Sequence, residues 1–138
     1  MSARLSRIVI LIAGIILAGY GLLRYHYVGR WGWARTATIA FLEAARAGDT
    51  ASLVAMAPAL EVRQRALTLA RQEPAGLDTL IASLQVVAGS QKQDGFIVHF
   101  RTRTAFCRPW NGVADEFQVS GRRVNGRVQF SYAGITPC

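Results

Sequence analysis

The sequence predicts an α+β protein, with one N-terminal transmembrane helix followed by a small domain of about three helices and a curved antiparallel sheet. Three observations lead to this prediction. Residues 8–23 form an uninterrupted apolar run. Between residues 36 and 82 the apolar side chains recur with helical spacing, and from Leu84 onward they alternate with polar ones.

The composition limits the size and class of the folded part. Hydrophobic residues make up 51% of the 138 residues and charged residues 17%, so we expect an ordered chain with one modest core. The net charge is +8, and the part from Arg30 onward carries 13 basic and 8 acidic side chains. This charge favours anionic partners, namely lipid headgroups, an acidic protein surface or nucleic acid, without selecting one of them.

The apolar run Ile8–Leu23 is predicted to anchor the protein in a membrane. Its sixteen residues give a helix of about 24 Å, which is shorter than the roughly 30 Å hydrocarbon core. Adding Tyr25–Val28 lengthens the helix to about 31 Å and places tyrosines and tryptophans at the interface. We assign 1–28 to the anchor, 29–35 to a juxtamembrane linker and 36–138 to the folded domain. The residues expected to hold the protein in the bilayer are Ile8, Ile12, Ile16, Leu22, Trp31 and Trp33.

Two alternatives to a retained anchor are open. A cleaved signal peptide also combines an arginine-rich start with an apolar run, but Leu17-Ala18-Gly19 is a poor cleavage site and no lipobox cysteine is present. A buried core helix is the other alternative, although such a helix is seldom apolar on all sides. Within the run, Gly14 and Ala18 form a small-xxx-small pair on one face, which favours docking against another membrane helix.

The charges on the two sides of the apolar run give conflicting predictions for the orientation of the anchor. Arg4 and Arg7 favour a cytoplasmic N-terminus, whereas the arginines after the run favour the reverse. Cys107 and Cys138 are the only cysteines, and a pair suits an oxidising compartment. A disulfide between them would close a loop of about 31 residues, worth roughly 3–4 kcal/mol in the chain-entropy model. We therefore expect the domain on the periplasmic side of a bacterial inner membrane; two unrelated thiols on a cytosolic domain are the alternative.

The predicted helices follow in order. The first starts at Thr36 or Thr38 and runs to Ala47, where Gly48-Asp49 ends it. A second covers Thr50–Met56 and stops before Pro58, and a third covers Leu60–Gln72. Residues 73–76 are expected to break the chain, and Asp78 is expected to cap a short turn over Thr79–Ala82.

The predicted strands occupy the C-terminal half. A first strand over Leu84–Ala88 leads into a polar turn, Gly89–Gly95, and Phe96–Thr104 is the clearest strand. Asp115–Ser120 and Arg127–Ala133 form a hairpin through Gly121–Gly126. The side chains expected to face the core are Phe96, Val98, Phe100, Phe117, Val119, Val128, Phe130 and Tyr132.

The helix Ala37–Asp49, with Phe41-Leu42-Glu43-Ala44 and a terminal Gly48-Asp49, resembles the opening helix of the nuclear transport factor 2-like (cystatin-like cone) superfamily. The hairpin Glu116–Tyr132 is similar to the closing strands of those domains, although the tryptophan that often follows the hairpin glycine is absent after Gly126. The resemblance implies a cone-shaped sheet around a helix. It also implies either an assembly role in a membrane machine or a pocket for a small ligand, with no catalytic residue that carries over.

Few residues have the spacing of a reaction centre. His26 and His99 are the only histidines. His26 belongs to the membrane flank, and His99 shares a strand face with arginines, so neither is expected to be catalytic. No metal-ligand spacing, phosphate-binding glycine loop or cofactor motif is evident.

The sequence therefore favours a non-enzymatic, single-pass accessory or assembly subunit of a larger membrane complex, with other membrane subunits and lipid headgroups as partners. Nucleic acid is not expected, because no aromatic residues interleave with the basic ones. The alternatives are a membrane-tethered ligand-binding or isomerase-like cone domain and an assembly factor of a secretion apparatus. A basic patch for partner contact is expected from Arg101, Arg103, Arg122, Arg123 and Arg127.

Overall fold

The computed structural model describes residues 3–72, 74–102 and 115–135. The described helices are α1 (Ala3–Tyr27), a 3-10 helix (Gly29–Trp31), α2 (Gly32–Ala47), α3 (Thr50–Met56), α4 (Leu60–Gln72) and α5 (Pro74–Ser83). The strands are β1 (Gln85–Lys92), β2 (Gly95–Thr102), β3 (Asp115–Val124) and β4 (Arg127–Ile135). The predicted α+β class, with a long N-terminal helix preceding helices and an antiparallel sheet, is confirmed.

Helix α1 is long enough to cross a membrane. Its 25 residues correspond to about 37 Å, and the helix continues through Tyr25 to Tyr27 rather than ending at Leu23. The described part of the chain contains one helix with the length and hydropathy of a membrane span, and this is the segment that includes α1. Its apolar run is not covered by the described residues of the domain, and the side chains of Ile10, Leu17 and Leu22 are about 70% exposed.

The segment after α1 is helical rather than extended. Val28 closes the last turn of α1 by donating its N–H to the Arg24 carbonyl at 2.8 Å, and the 3-10 helix then leads directly into α2. The predicted helix start at Thr36 or Thr38 is therefore wrong. Neither hydroxyl caps a helix; Thr36 donates to the Gly32 carbonyl and Thr38 to the Ala34 carbonyl, each one turn back.

The remaining helices follow the sequence closely. Helices α3 and α4 have the predicted bounds, and Gly48, with φ of 69°, ends α2 in the left-handed conformation. Asp49 caps α3 by accepting from the Ser52 N–H at 3.2 Å and from its hydroxyl at 2.6 Å, and these hydrogen bonds lower the pKa of the Asp49 carboxyl. Helix α5 starts at Pro74, where a break was predicted, because proline is well suited to the first helical position.

The sheet is an antiparallel meander in the order β1-β2-β3-β4. Each of two strands holds one unpaired extra residue, Val87 in β1 and Ser131 in β4. The Ser131 bulge corrects a predicted core position. It shifts the alternation so that Ala133, which pairs with Val119, is buried, whereas Tyr132 lies on the opposite face beside Ser120.

The core lies between one face of the sheet and helices α2, α3, α4 and α5. Phe41 of α2 contacts Phe130 of β4 with ring centroids 5.1 Å apart, and Phe130 meets Phe96 of β2 edge-on at 6.4 Å. The alternation predicted for β2 is confirmed, since Phe96, Val98 and Phe100 are all buried. The side chains on the opposite face of the sheet are mostly polar.

Candidate functional site

The junction between α1 and the sheet is built around Trp31. This side chain is 2% exposed and lies directly on Gly89 of β1, where a Cβ would stand 2.3 Å from the indole atom Cε2. The sequence places Trp31 at the lipid headgroups and Gly89 in a polar turn, and the structure corrects both. The indole is buried in the domain core, and the missing side chain of Gly89 is what makes room for it.

Trp33 extends this junction to the second strand. Its ring lies 5.7 Å from that of Trp31 and meets Phe96 edge-on at 5.0 Å. A guanidinium covers each indole, with Arg30 at 4.9 Å from the Trp31 centroid and Arg123 at 4.6 Å from that of Trp33. Unlike Trp31, Trp33 is only partly buried and stays in contact with solvent. The two tryptophans therefore pack the chain that follows α1 against strands β1 and β2.

The predicted basic patch is divided. Arg101 of β2 lies opposite Glu116 of β3 in the strand register, at one end of the sheet. Arg122 is six residues beyond Glu116 along β3, about 20 Å away. Arg123 lies on the opposite face from Arg122, because neighbouring strand residues alternate. Arg127 pairs with Val124 beside the β3–β4 turn. The basic residues thus form no single surface, and Arg103 lies outside the described residues.

The cations collect instead at the end of the sheet where both hairpin turns lie. Lys92 ends β1, and Arg122, Arg123 and Arg127 flank the β3–β4 turn, while Asp94 is the acidic residue of the β1–β2 turn. An open cavity of about 390 Å³ lies between the two turns and the Trp33 side chain. The residues that line it are Trp33, Gln91, Gln93, Asp94, Gly95, Phe96, Arg122, Arg123 and Val124. We call it the hairpin-end cavity.

His99 lies on the outer face of the sheet, away from the core. Its Nδ1 is 3.5 Å from an Oε atom of Glu116, and both side chains are more than a third exposed. The arrangement is a surface pair beside Arg101, with the neighbouring strand contributing Gln118 opposite His99. Within the described ranges, no group of three or more histidine, cysteine or acidic residues is placed to hold a metal ion.

A second cavity, of about 170 Å³, opens on the core side between α2, α4 and the end of the sheet. Its lining is apolar apart from Arg65, whose guanidinium lies 5.3 Å from the Tyr132 ring centroid. The ligand-binding alternative expects an apolar pocket that holds His99 or an acid. Neither His99 nor a carboxylate is among the residues that line this cavity.

Helix α1, the predicted membrane anchor, has its apolar side chains exposed. Ile8, Ile12, Ile16 and Leu22 are all more than half exposed. Gly14 has no neighbouring atom within 4 Å of where a Cβ would be, and Gly21 is equally open. Because residues 14, 18 and 21 follow the spacing of a helix face, Gly21 continues the small ridge that Gly14 and Ala18 begin, an extension the sequence prediction missed.

Cys107 and Cys138, the predicted disulfide pair, lie outside the described residues. Comparison of the chain with protein-family models, with curated proteins and with solved structures finds no match. The resemblance to the nuclear transport factor 2-like superfamily therefore stays a hypothesis that rests on the helix Ala37–Asp49 and the β3–β4 hairpin.

Proposed function

We propose that this protein is a single-pass accessory or assembly subunit of a larger membrane complex. In this proposal α1 crosses the bacterial inner membrane and docks through its small-residue ridge, Gly14-Ala18-Gly21, against helices of partner subunits. The domain sits on the periplasmic surface, held near the bilayer by its junction with α1. The single observation that carries the proposal is the exposed apolar run of α1, residues 8–23, which is apolar on all sides and has an open ridge of small residues.

The small-residue ridge of α1 supports a docking role. Lipid tails are as apolar as leucine, so membrane helices associate through close packing rather than through the hydrophobic effect. A ridge without side chains allows two helix backbones to approach closely, and none of the described residues of the domain covers this ridge. An anchor that served only to tether the domain would need length and hydrophobicity but no such ridge.

The short connection supports a domain held close to the bilayer. Trp33 is six positions after Tyr27, the end of α1, and the connection is helical apart from Val28, so it spans about 10 Å. Two of the arginines that oppose a periplasmic domain in the charge count have structural roles. Arg30 covers Trp31, and Arg35 donates its Nε–H to the Leu84 carbonyl at 2.8 Å.

The proposal is tested by purifying the tagged full chain from native membranes in mild detergent and quantifying the co-purifying membrane proteins. We expect Gly14→Leu to lower the recovery of a stoichiometric partner about tenfold, since the leucine side chain separates the packed helices. The matched control is Gly19→Leu, which makes the same change on the opposite side of α1, where a Cβ also meets no atom within 4 Å. Recovery with this control should match the wild-type protein.

A strictly monomeric wild-type chain with no co-purifying partner would overturn the proposal. Equal loss of the partner with Gly14→Leu and Gly19→Leu would overturn the assignment of the ridge. The identity of a recovered partner would separate an accessory subunit from an assembly factor of a secretion apparatus, because components of that apparatus would then be enriched.

A further inference from the structure

We infer that the hairpin-end cavity binds the phosphate headgroup of an anionic membrane lipid. The cavity lies between the β1–β2 and β3–β4 turns, with Trp33 as one wall and the arginines of β3 as another. This inference rests on the proposed placement of α1 in a bilayer and adds a defined ligand site to it.

The cavity lies close to the point where the chain leaves the membrane. Its Trp33 wall is six residues, or about 10 Å of helical chain, from the end of α1. The headgroup region extends roughly 5–8 Å beyond the hydrocarbon on each side of a bilayer. A lipid headgroup is therefore the anion within reach of the cavity while α1 is inserted.

The charges of the cavity are available to a ligand. Within the described part of the chain, no carboxylate lies within ion-pair distance of Arg122 or Arg123. Arg122 has one long contact, from its Nε to Oε1 of Gln129 at 3.4 Å. Lys92 and Arg127 flank the same end of the sheet, and Asp94 is the one acidic residue that lines the cavity. The excess of positive charge complements an anionic headgroup.

The side chains suit a phosphodiester with a polar substituent. Arginine binds phosphate oxygens through paired N–H groups, and a guanidinium that contacts an aromatic ring through its face keeps the N–H groups at its edge free for this purpose. Arg123 lies over Trp33, with its Cζ 4.6 Å from the ring centroid. The amides of Gln91 and Gln93 supply hydrogen-bond partners for hydroxyl groups, and partly buried Trp33 suits the interfacial zone.

The test uses the full chain in neutral detergent, titrated with short-chain phosphatidylglycerol, short-chain phosphatidylcholine or inorganic phosphate and analysed by native mass spectrometry. We expect phosphatidylglycerol to bind about tenfold more tightly than phosphatidylcholine. Arg123→Gln should raise the Kd for phosphatidylglycerol about tenfold, which corresponds to the loss of one charge-assisted contact. Arg122→Gln, which leaves the Trp33 packing in place, should raise it in the same direction.

The matched control is Arg101→Gln, which removes the same charge from the far end of the sheet and should change the Kd by less than about twofold. Equal weakening by Arg101→Gln and Arg123→Gln would show diffuse attraction and overturn the site. Equal binding of the two lipids would also overturn it, and displacement of phosphatidylglycerol by equimolar inorganic phosphate would make it a free-anion site. These measurements need no partner protein, so their failure is distinguishable from a failure to recover a partner with Gly14→Leu.

Discussion

Replacing Gly89 by alanine should destabilise the domain by forcing Trp31 out of its position. The added Cβ would lie 2.3 Å from Cε2 and 2.4 Å from Nε1 of the indole, whereas ordinary carbon contacts are about 3.5–4.0 Å. The ring must therefore move by more than about 1 Å. Trp33 lies on one side of it and the Arg30 guanidinium over it, so little free space is available.

Overpacking of this kind costs about 1–3 kcal/mol, and we expect about 2 kcal/mol because Trp31 is almost completely buried. For a domain of roughly 100 residues, this lowers the Tm by about 10 °C. The assay is thermal unfolding of the full chain in detergent micelles, followed by near-ultraviolet circular dichroism. The control is Gly32→Ala at the start of α2, where a Cβ meets no atom within 4 Å and the Tm should not fall.

A double mutant separates this contact from a general intolerance of β1 to substitution. Trp31→Phe removes Nε1, one of the indole atoms nearest to Gly89, and it costs no hydrogen bond because Nε1 has no partner among the residues that the structure describes. In the Trp31→Phe background, Gly89→Ala should therefore cost at least about 1 kcal/mol less than in the wild-type protein. Additive effects of the two substitutions, or an unchanged Tm for Gly89→Ala alone, would refute the reasoning.

Two further predictions concern the α2–α3 corner. Gly48→Ala should lower the stability by about 1 kcal/mol, because φ of 69° strains a residue with a Cβ, and Gly48→Asn should cost less; thermal unfolding compares the two. Asp49→Ala should lower the Tm at pH 7 by removing the α3 cap, whereas Asp49→Asn keeps a capping oxygen. Since folding lowers the pKa of Asp49, its ionised form stabilises the domain above about pH 4, and the difference between wild type and Asp49→Ala should shrink as the pH falls further. A difference that grows with acidity would contradict this assignment.

The regular elements were predictable because local rules decide them. Helices α3 and α4 are bounded by signals that act within a few residues, such as Asp49 as a cap and Pro58 as a stop. The buried positions of β2 follow from alternation alone. The positions that were wrong depend on partners distant in sequence. Trp31 looks like an interfacial aromatic until Gly89 is placed beneath it, 58 residues later.

The sequence predicts which basic residues belong to the candidate site, but not how they are arranged on the sheet. Strand alternation identifies which basic residues lie on exposed faces, but register decides which of them are neighbours. Arg101 and Arg122 share a face and are about 20 Å apart, whereas Arg122 and Arg123 start from opposite faces and both line the hairpin-end cavity at the end of the sheet. The bulge at Ser131 has no signature in the sequence, and it decides that Ala133 rather than Tyr132 is buried.

Trp31 and Trp33 also determine how α1 and the domain can act together. A flexible linker would allow the domain to leave the membrane surface, and the hairpin-end cavity would then meet a headgroup only occasionally. The packing of Trp31 on Gly89 limits that freedom, because it holds the 3-10 helix and the start of α2 against β1 and leaves Val28 as the non-helical link to α1. Separating the 3-10 helix from the sheet would expose the indole at a cost of about 2–3 kcal/mol, which keeps that arrangement below about a few per cent of the population. In the proposed function, docking of α1 and occupancy of the cavity are therefore linked through these two tryptophans.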